Sequence, residues 1–330
     1  MSAIAGLGLA LPQHRLSVDE GRAVISRHWP HLTAIAVEPV TRYLVSPIEE
    51  VFRARTIDER MTTYAREAPR LAEIAATRAL SSAGLSPSDV DLVISVSCTG
   101  YLVPALDVRL ANQMGFKASV LRLPLTELGC SGGAAALATA HRHLMADPKA
   151  VVLVVCVELC SLTFDPADLS MDNLTASLVF GDGASAAVLR AEGPGLQIDK
   201  AGSRLISDTE SLLGFRLSDG GFHPVLDRHL PRHLEAALPA LVSGFCEERL
   251  DFYAVHAGGP RIFDAVERAL CVPTMGLEPS RASFREVGNI SSASLLFVLS
   301  HLEERAGTGL ALAFGPGVSV ELLQLRALPV

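Results

Sequence analysis

The chain has 330 residues, of which 49% are apolar and 19% charged, and 28 basic against 36 acidic residues leave a formal net charge of −8. That length allows one large or two average domains with a sizeable core, and an acidic balance without a basic block argues against a nucleic-acid partner. A mean hydropathy of +0.34, with no uninterrupted apolar run of about 18 residues to span a bilayer, points instead to extra buried surface, as in an obligate oligomer.

Residues 3–11 read as an opening strand, with too little basic character before them and Pro12 too close behind for a signal peptide. Ser17 to Trp29 reads as a helix capped by Ser17, with Glu20 three residues on. Residues 58–83 carry a helical apolar period through Tyr64, Ala68, Leu71, Ile74, Ala75 and Leu80, ending at Gly84. A turn at Ser86–Asp91 then leads to the apolar run Leu92–Ser97, a strand buried on both faces. A helix from Pro104 to Met114 follows. Helix, turn and apolar strand in that order indicate an α/β layered architecture.

The next stretch, LTELGCSGGAAALATA from Leu125, begins as an apolar run that reads as a buried strand and continues as a small-residue helix, so Cys130 falls at a strand-to-helix turn. A thiol at a helix N-terminus feels the positive end of the backbone dipole, and flanking glycines let a substrate approach closely. The competing reading is a small core hydrophobe. Of the other cysteines, Cys156 and Cys160 lack metal-site spacing and read as structural, and the set reads as reduced thiols of a cytoplasmic protein. A strand from Ala150 to Val157 and a glycine turn feeding a strand up to Leu189 complete the first half. Glu192-Gly193-Pro194-Gly195 marks a boundary, giving units of 1–192 and 195–330 whose similar alternation suggests an internal duplication.

In the second unit, the strand Phe252–Val255 ends in His256 and a Gly-Gly-Pro turn, followed by a helix from Arg261 to Leu270. A His at the open end of a sheet is placed to meet a substrate. Asn289 opens another apolar helix, where a helix cap is the alternative role.

Cys130 in LGCSGG, His256 in VHAGGPRI, Asn289 in EVGNISSAS and the closing FGPG at Phe314–Gly317, with SCTGYLVP, VFGDG and DGGFHPVLDR between, resemble the chalcone synthase family, the type III polyketide synthases. The bacterial branch making tetrahydroxynaphthalene or alkylpyrones is the nearer likeness.

The resemblance implies an αβαβα thiolase-like fold of two duplicated halves, working as a homodimer without metal or other cofactor. It implies a cysteine that accepts an acyl starter from coenzyme A, then decarboxylative condensation with malonyl-CoA, and cyclisation to a pyrone or phenolic product. Cys130 would be the nucleophile, His256 would hold it as a thiolate–imidazolium pair, and His256 and Asn289 would stabilise the enolate. Phe180 and Phe222 match paired rings between tunnel and cavity. Arg42 matches a residue on the coenzyme A phosphates, with Arg53 and Arg55 as nearby candidates. Cys98, Thr163, Phe215 and Ser291 fall on cavity walls, with Phe215 narrowing the chamber, and Val103 falls where relatives reach into the partner's cavity. Ser131 departs from the family pattern. An initiating-type ketoacyl carrier-protein synthase shares the triad and is the alternative, and a hydroxymethylglutaryl-CoA synthase, a thiolase and a non-catalytic partner subunit fit less well.

Overall fold

The strand periods of both halves assemble into one nine-stranded sheet in the computed structural model, which describes residues 1–30, 40–218, 221–273, 275–302 and 305–327. Asp219 and Gly220 of the DGGFHPVLDR motif lie outside the described residues. In the first half the elements are β1 (Ser2–Ala10), β2 (His14–Leu16), α1 (Val18–His28), β3 (Arg42–Leu44), α2 (Ile48–Val51), α3 (Ile57–Ser82) and β4 (Leu92–Val96). These are followed by α4 (Leu106–Met114), β5 (Leu121–Leu125), α5 (Gly132–Ala146), β6 (Val152–Leu159), α6 (Met171–Val179) and β7 (Asp182–Arg190). The second half has β8 (Leu196–Leu205), β9 (Leu213–Ser218), β10 (Gly221–Leu226), α7 (Leu230–Ser243), β11 (Phe252–Val255), α8 (Pro260–Leu270), α9 (Glu278–Val287), α10 (Ser294–Leu299), β12 (Gly307–Gly315) and β13 (Ser319–Ala327).

Ser17 caps α1 through a reciprocal box with Glu20, and Thr56 does the same for α3 with Glu59. On α3 the apolar stripe is buried as its period requires, although Ile74 is only half covered. Every residue of β4 is buried.

Strand order across the sheet is β11-β12-β13-β8-β1-β7-β6-β4-β5. From β4 the neighbours run parallel to β6, antiparallel to β7, antiparallel to β1. From β11 they run parallel to β12, antiparallel to β13, antiparallel to β8. The two halves therefore repeat one topology, and they join where β1 pairs with β8.

The layers follow from the packing. Ala134 and Leu137 of α5 and Leu295 and Leu296 of α10 share one core with strands of both halves, including Ile94, Val154, Ala311 and Leu323. Helix α3 covers the outer face of the first half through Leu71, Ala75 and Leu80, while α7 and α8 cover that of the second through Leu234, Leu238 and Phe263. Helix, sheet, buried helices, sheet, helix is the αβαβα arrangement. The small residues of the run after Cys130 are what let α5 fit between the two halves of the sheet.

Two expectations are corrected. The strand before Cys130 ends at Leu125 and lies on the sheet edge with Leu121 57% exposed, so residues 126–128 form the turn and β5 is not buried. Helix α4 starts at Leu106, since its first turn follows the 97–105 loop instead of opening on Pro104. No helix among the described residues is long and apolar enough to cross a membrane.

Candidate active site

Cys130 occupies a single 3-10 turn, Gly129–Ser131, that runs into the N-terminus of α5. The approach to the turn is left-handed twice, at Glu127 with φ 58° and at Gly129 with φ 53°. A left-handed non-glycine residue costs about 1–3 kcal/mol, which the surrounding packing must offset. Gly129 also admits no side chain, since a Cβ there would stand 2.6 Å from Pro316 Cδ in the closing FGPG motif. At Gly133 a Cβ would stand 2.2 Å from the Ser292 carbonyl oxygen. These contacts seat the nucleophile turn against the two second-half loops that follow β12 and Asn289.

At the sulfur, the Cys130 thiol lies 3.5 Å from Ser291 Oγ. Burial pushes its pKa up to about 11, while hydrogen bonds from Ser291 and the Asn289 side chain work the other way. Ser291 itself has φ 45°, so its hydroxyl is aimed by a strained backbone. Asn289 is not inside a helix: it forms a parallel bridge with Phe180, and its Oδ1 accepts from Ser291 N at 2.8 Å and Ser294 Oγ at 3.1 Å. The carbonyl of the amide thus does the capping work, which leaves its N–H group for the sulfur.

His256 follows β11 and is 3% exposed. Its Nδ1 accepts from the Phe314 backbone N–H at 3.4 Å, which puts the proton of the neutral ring on Nε2. The ring stands edge-on to Phe314 at 5.5 Å. A Cβ on Gly258 would come within 3.1 Å of Nε2, so a side chain at the first glycine of the Gly-Gly-Pro turn would crowd the ring. Burial lowers the imidazole to about 4. Burial thus works against the expected thiolate–imidazolium pair, favouring the neutral form of each group, and no hydrogen bond joins the two among the described residues.

Beneath this group lies Glu158, fully buried on β6. It accepts from Cys98 N at 3.1 Å, Thr99 Oγ1 at 2.7 Å, the Cys98 thiol at 3.4 Å and Ser292 Oγ. Burial raises its pKa despite those donors. Cys98 Sγ also lies 3.4 Å from Ser291 Oγ, and burial beside Glu158 pushes its thiol well up. One carboxylate thus ties the loop after β4 to the turn after Asn289. The signal was legible as the sole acid inside the apolar run VVLVVCVEL, and the reading of Cys156 and Cys160 as structural passed over it.

Residues 41–193 match the family model for chalcone and stilbene synthases, N-terminal domain, and residues 197–329 match the model for the C-terminal domain. The chain belongs to the chalcone and stilbene synthase family, the type III polyketide synthases. It is 36% identical to a 1,3,6,8-tetrahydroxynaphthalene synthase of Streptomyces coelicolor over 98% of this chain and 91% of that protein. It is 33% identical to a phloroglucinol synthase of Pseudomonas fluorescens over 85% of this chain and 84% of the relative. The crystal structure of the Streptomyces coelicolor tetrahydroxynaphthalene synthase superposes with a TM-score of 0.91 at 34% identity, covering 98% of this chain and 99% of that one.

The synthase has a mainly apolar cavity lined by Cys130 and walled by Leu44, Phe164, Phe180, Leu213, Phe215 and Leu226. Of the wall residues expected from sequence, Thr163, Phe180, Phe215 and Ser291 line it. Thr163 turns its hydroxyl to the Cys160 carbonyl at 2.9 Å. Phe222 stands edge-on to Phe215 at 6.0 Å and supports that wall. Cys160, read as structural, lines the cavity, because the turn after β6 brings it round.

Arg42 lines the cavity too, 5% exposed and with an unpartnered Nε. Burial lowers it to about 10 against the pull of Asp182. Arg53 pairs with Glu59 at the surface, and Arg55 donates to the Ser161 carbonyl. Val103, in the loop between β4 and α4, is 79% exposed and does not line the cavity of its own chain. Ser131 does not line the cavity, and its hydroxyl donates to the Leu128 carbonyl at 2.8 Å and lies 3.1 Å from Ser319 Oγ. No cluster of three or more His, Cys, Asp or Glu suited to a metal occurs among the described residues.

Proposed function

We propose that the synthase loads an acyl-CoA starter on Cys130, extends it with malonyl-CoA and cyclises the chain to a pyrone or phenol. The observation that carries this reading is a cysteine at a helix N-terminus, with Ser291 Oγ 3.5 Å from its sulfur, lining a mainly apolar cavity. In loading, the S–C bond to Cys130 forms, the bond to coenzyme A breaks and the thiol proton leaves on the coenzyme A sulfur. The neutral ring of His256 serves as a donor through Nε2 to the thioester oxygen, with the Asn289 amide as the second donor. Malonyl-CoA then loses carbon dioxide, its carbanion attacks the acyl carbonyl, and Cys130 departs as a thiolate ready to reload. An apolar wall of Phe180, Phe215 and Leu226 favours loss of charge from the malonyl carboxylate. No step calls for a cofactor beyond the coenzyme A thioesters.

Arg42 is the cation of the cavity wall nearest in kind to a phosphate partner, and its unpartnered Nε supports a contact with coenzyme A. A homodimer is supported by the unpaired β5 edge, where Leu121 is exposed, and by exposed Tyr101 and Val103 in the loop after β4. We place the enzyme in the cytoplasm with its thioester substrates. Incubating it with malonyl-CoA and a ladder of acyl-CoA starters and reading product masses tests the activity. Product from carrier-protein thioesters alone would favour a ketoacyl carrier-protein synthase, and a monomer by light scattering would overturn the dimer.

A further inference from the structure

The hairpin β9–β10 is a two-stranded sheet apart from the main one, and such a hairpin is marginally stable without outside support. Its register pairs Phe215 with Pro224 and Leu213 with Leu226, and those four residues face the cavity. His223 alternates to the other face, where register places Ser218 and Arg216.

There His223 makes two bonds. Its Nδ1 meets Asp168 Oδ2 at 3.1 Å and its Nε2 meets Ser218 Oγ at 2.7 Å. The imidazole and carboxylate side chains are 15% and 19% exposed, so water competes weakly. One further carboxylate holds the same strand: Leu226 N–H donates to Asp172 Oδ2 at 3.0 Å. Asp168 is itself fixed, since Ser170 N–H donates to its Oδ1 at 2.8 Å and Asn173 Nδ2 donates to its backbone carbonyl at 2.7 Å. Asn173 lies on α6, which supplies Ala176 and Phe180 to the cavity and is capped by Ser170. The clasp therefore joins one cavity wall to another.

We propose that His223 is a positioning residue that sets product length, by fixing the distance between the Phe215 wall and the Phe180 wall through Asp168. The inference rests on the polyketide synthase reading above. His223 sits behind the wall and touches no substrate, so it acts only through the hairpin.

The test compares wild type with His223→Ala, Asp168→Ala, the double variant and His223→Asn, each given one acyl-CoA starter and malonyl-CoA, with products resolved by mass. His223→Ala and Asp168→Ala are expected to change the ratio of longer to shorter products in the same direction by about threefold, the size a partly exposed pair supports. The double variant is expected to change the ratio no more than the larger single one, because each single variant already loses the His223–Asp168 bond that joins the two walls. His223→Asn, whose amide N–H can replace Nδ1–H toward Asp168, is expected to restore the wild-type ratio. A wild-type ratio in a folded His223→Ala enzyme, additive effects, or failure of His223→Asn to restore the ratio would each overturn the clasp. If His223→Ala does not fold, Asp168→Ala against His223→Asn decides alone. A wild-type enzyme that makes no polyketide from any starter would sink the activity itself, a different result from unchanged lengths in an active enzyme.

Discussion

Ser291 Oγ stands 3.5 Å from Cys130 Sγ and holds that position on a backbone with φ 45°. A hydroxyl spent this way in strained backbone implies that the sulfur needs it. Ser291→Ala should raise the Cys130 pKa further above about 11 and slow alkylation at fixed pH by roughly tenfold, the effect of one hydrogen bond to a charged group. The rate of iodoacetamide labelling against pH measures it, and an unshifted profile would contradict the role.

The cysteines should separate by environment. Cys271 is exposed while Cys98, Cys156 and Cys160 have thiols pushed up by burial. In a Cys271→Ser background, peptide mapping after brief labelling at pH 9 should find Cys130 modified ahead of those three. Faster labelling of Cys98 would make it the reactive thiol. Cys98→Ser, which keeps a donor to Glu158, should retain the fold and the nucleophile.

His256 links pH to stability. Its folded pKa of about 4 lies below the ordinary 6.5, so the stability tied to its neutral form is present above pH 6.5 and is lost as pH falls through about 4. The size is about 3 kcal/mol. Asp182, raised by burial to about 6 from 3.8, moves stability in the opposite sense, so the comparison must be with a variant. The stability gap between wild type and His256→Gln in urea unfolding should shrink by that amount from pH 7 to pH 4. A constant gap would show the ring is not buried neutral.

Gly129→Ala tests the turn that carries the nucleophile. With φ 53° and Pro316 Cδ 2.6 Å from the added Cβ, the substitution should cost at least about 2 kcal/mol. Thermal melting measures that loss, and turnover should fall with it because the same turn places Cys130. A wild-type melting temperature would mean the turn can relax freely.

Much of this was legible in the sequence because it is written in local patterns. The Ser17–Glu20 cap, the stripe of α3 and the apolar run of β4 depend on neighbours in the chain. Cys130 could be placed at a helix start for the same reason. What the local pattern does not reach depends on partners far along the chain. Whether β5 is central or at an edge is a matter of sheet order. The charge state of Cys130 and His256 depends on burial contributed by both halves. Glu158 is recognisable as a hub only once Cys98, Thr99 and Ser292 meet around it.

The central claim is that Cys130 takes the acyl group, and intact-protein mass spectrometry after brief exposure to an acyl-CoA starter tests it most directly. Wild type should gain the mass of one acyl group, mapped to the peptide containing Cys130, and Cys130→Ala should gain none. An adduct of the same mass that persists in Cys130→Ala, or that maps to another residue in wild type, would contradict the account.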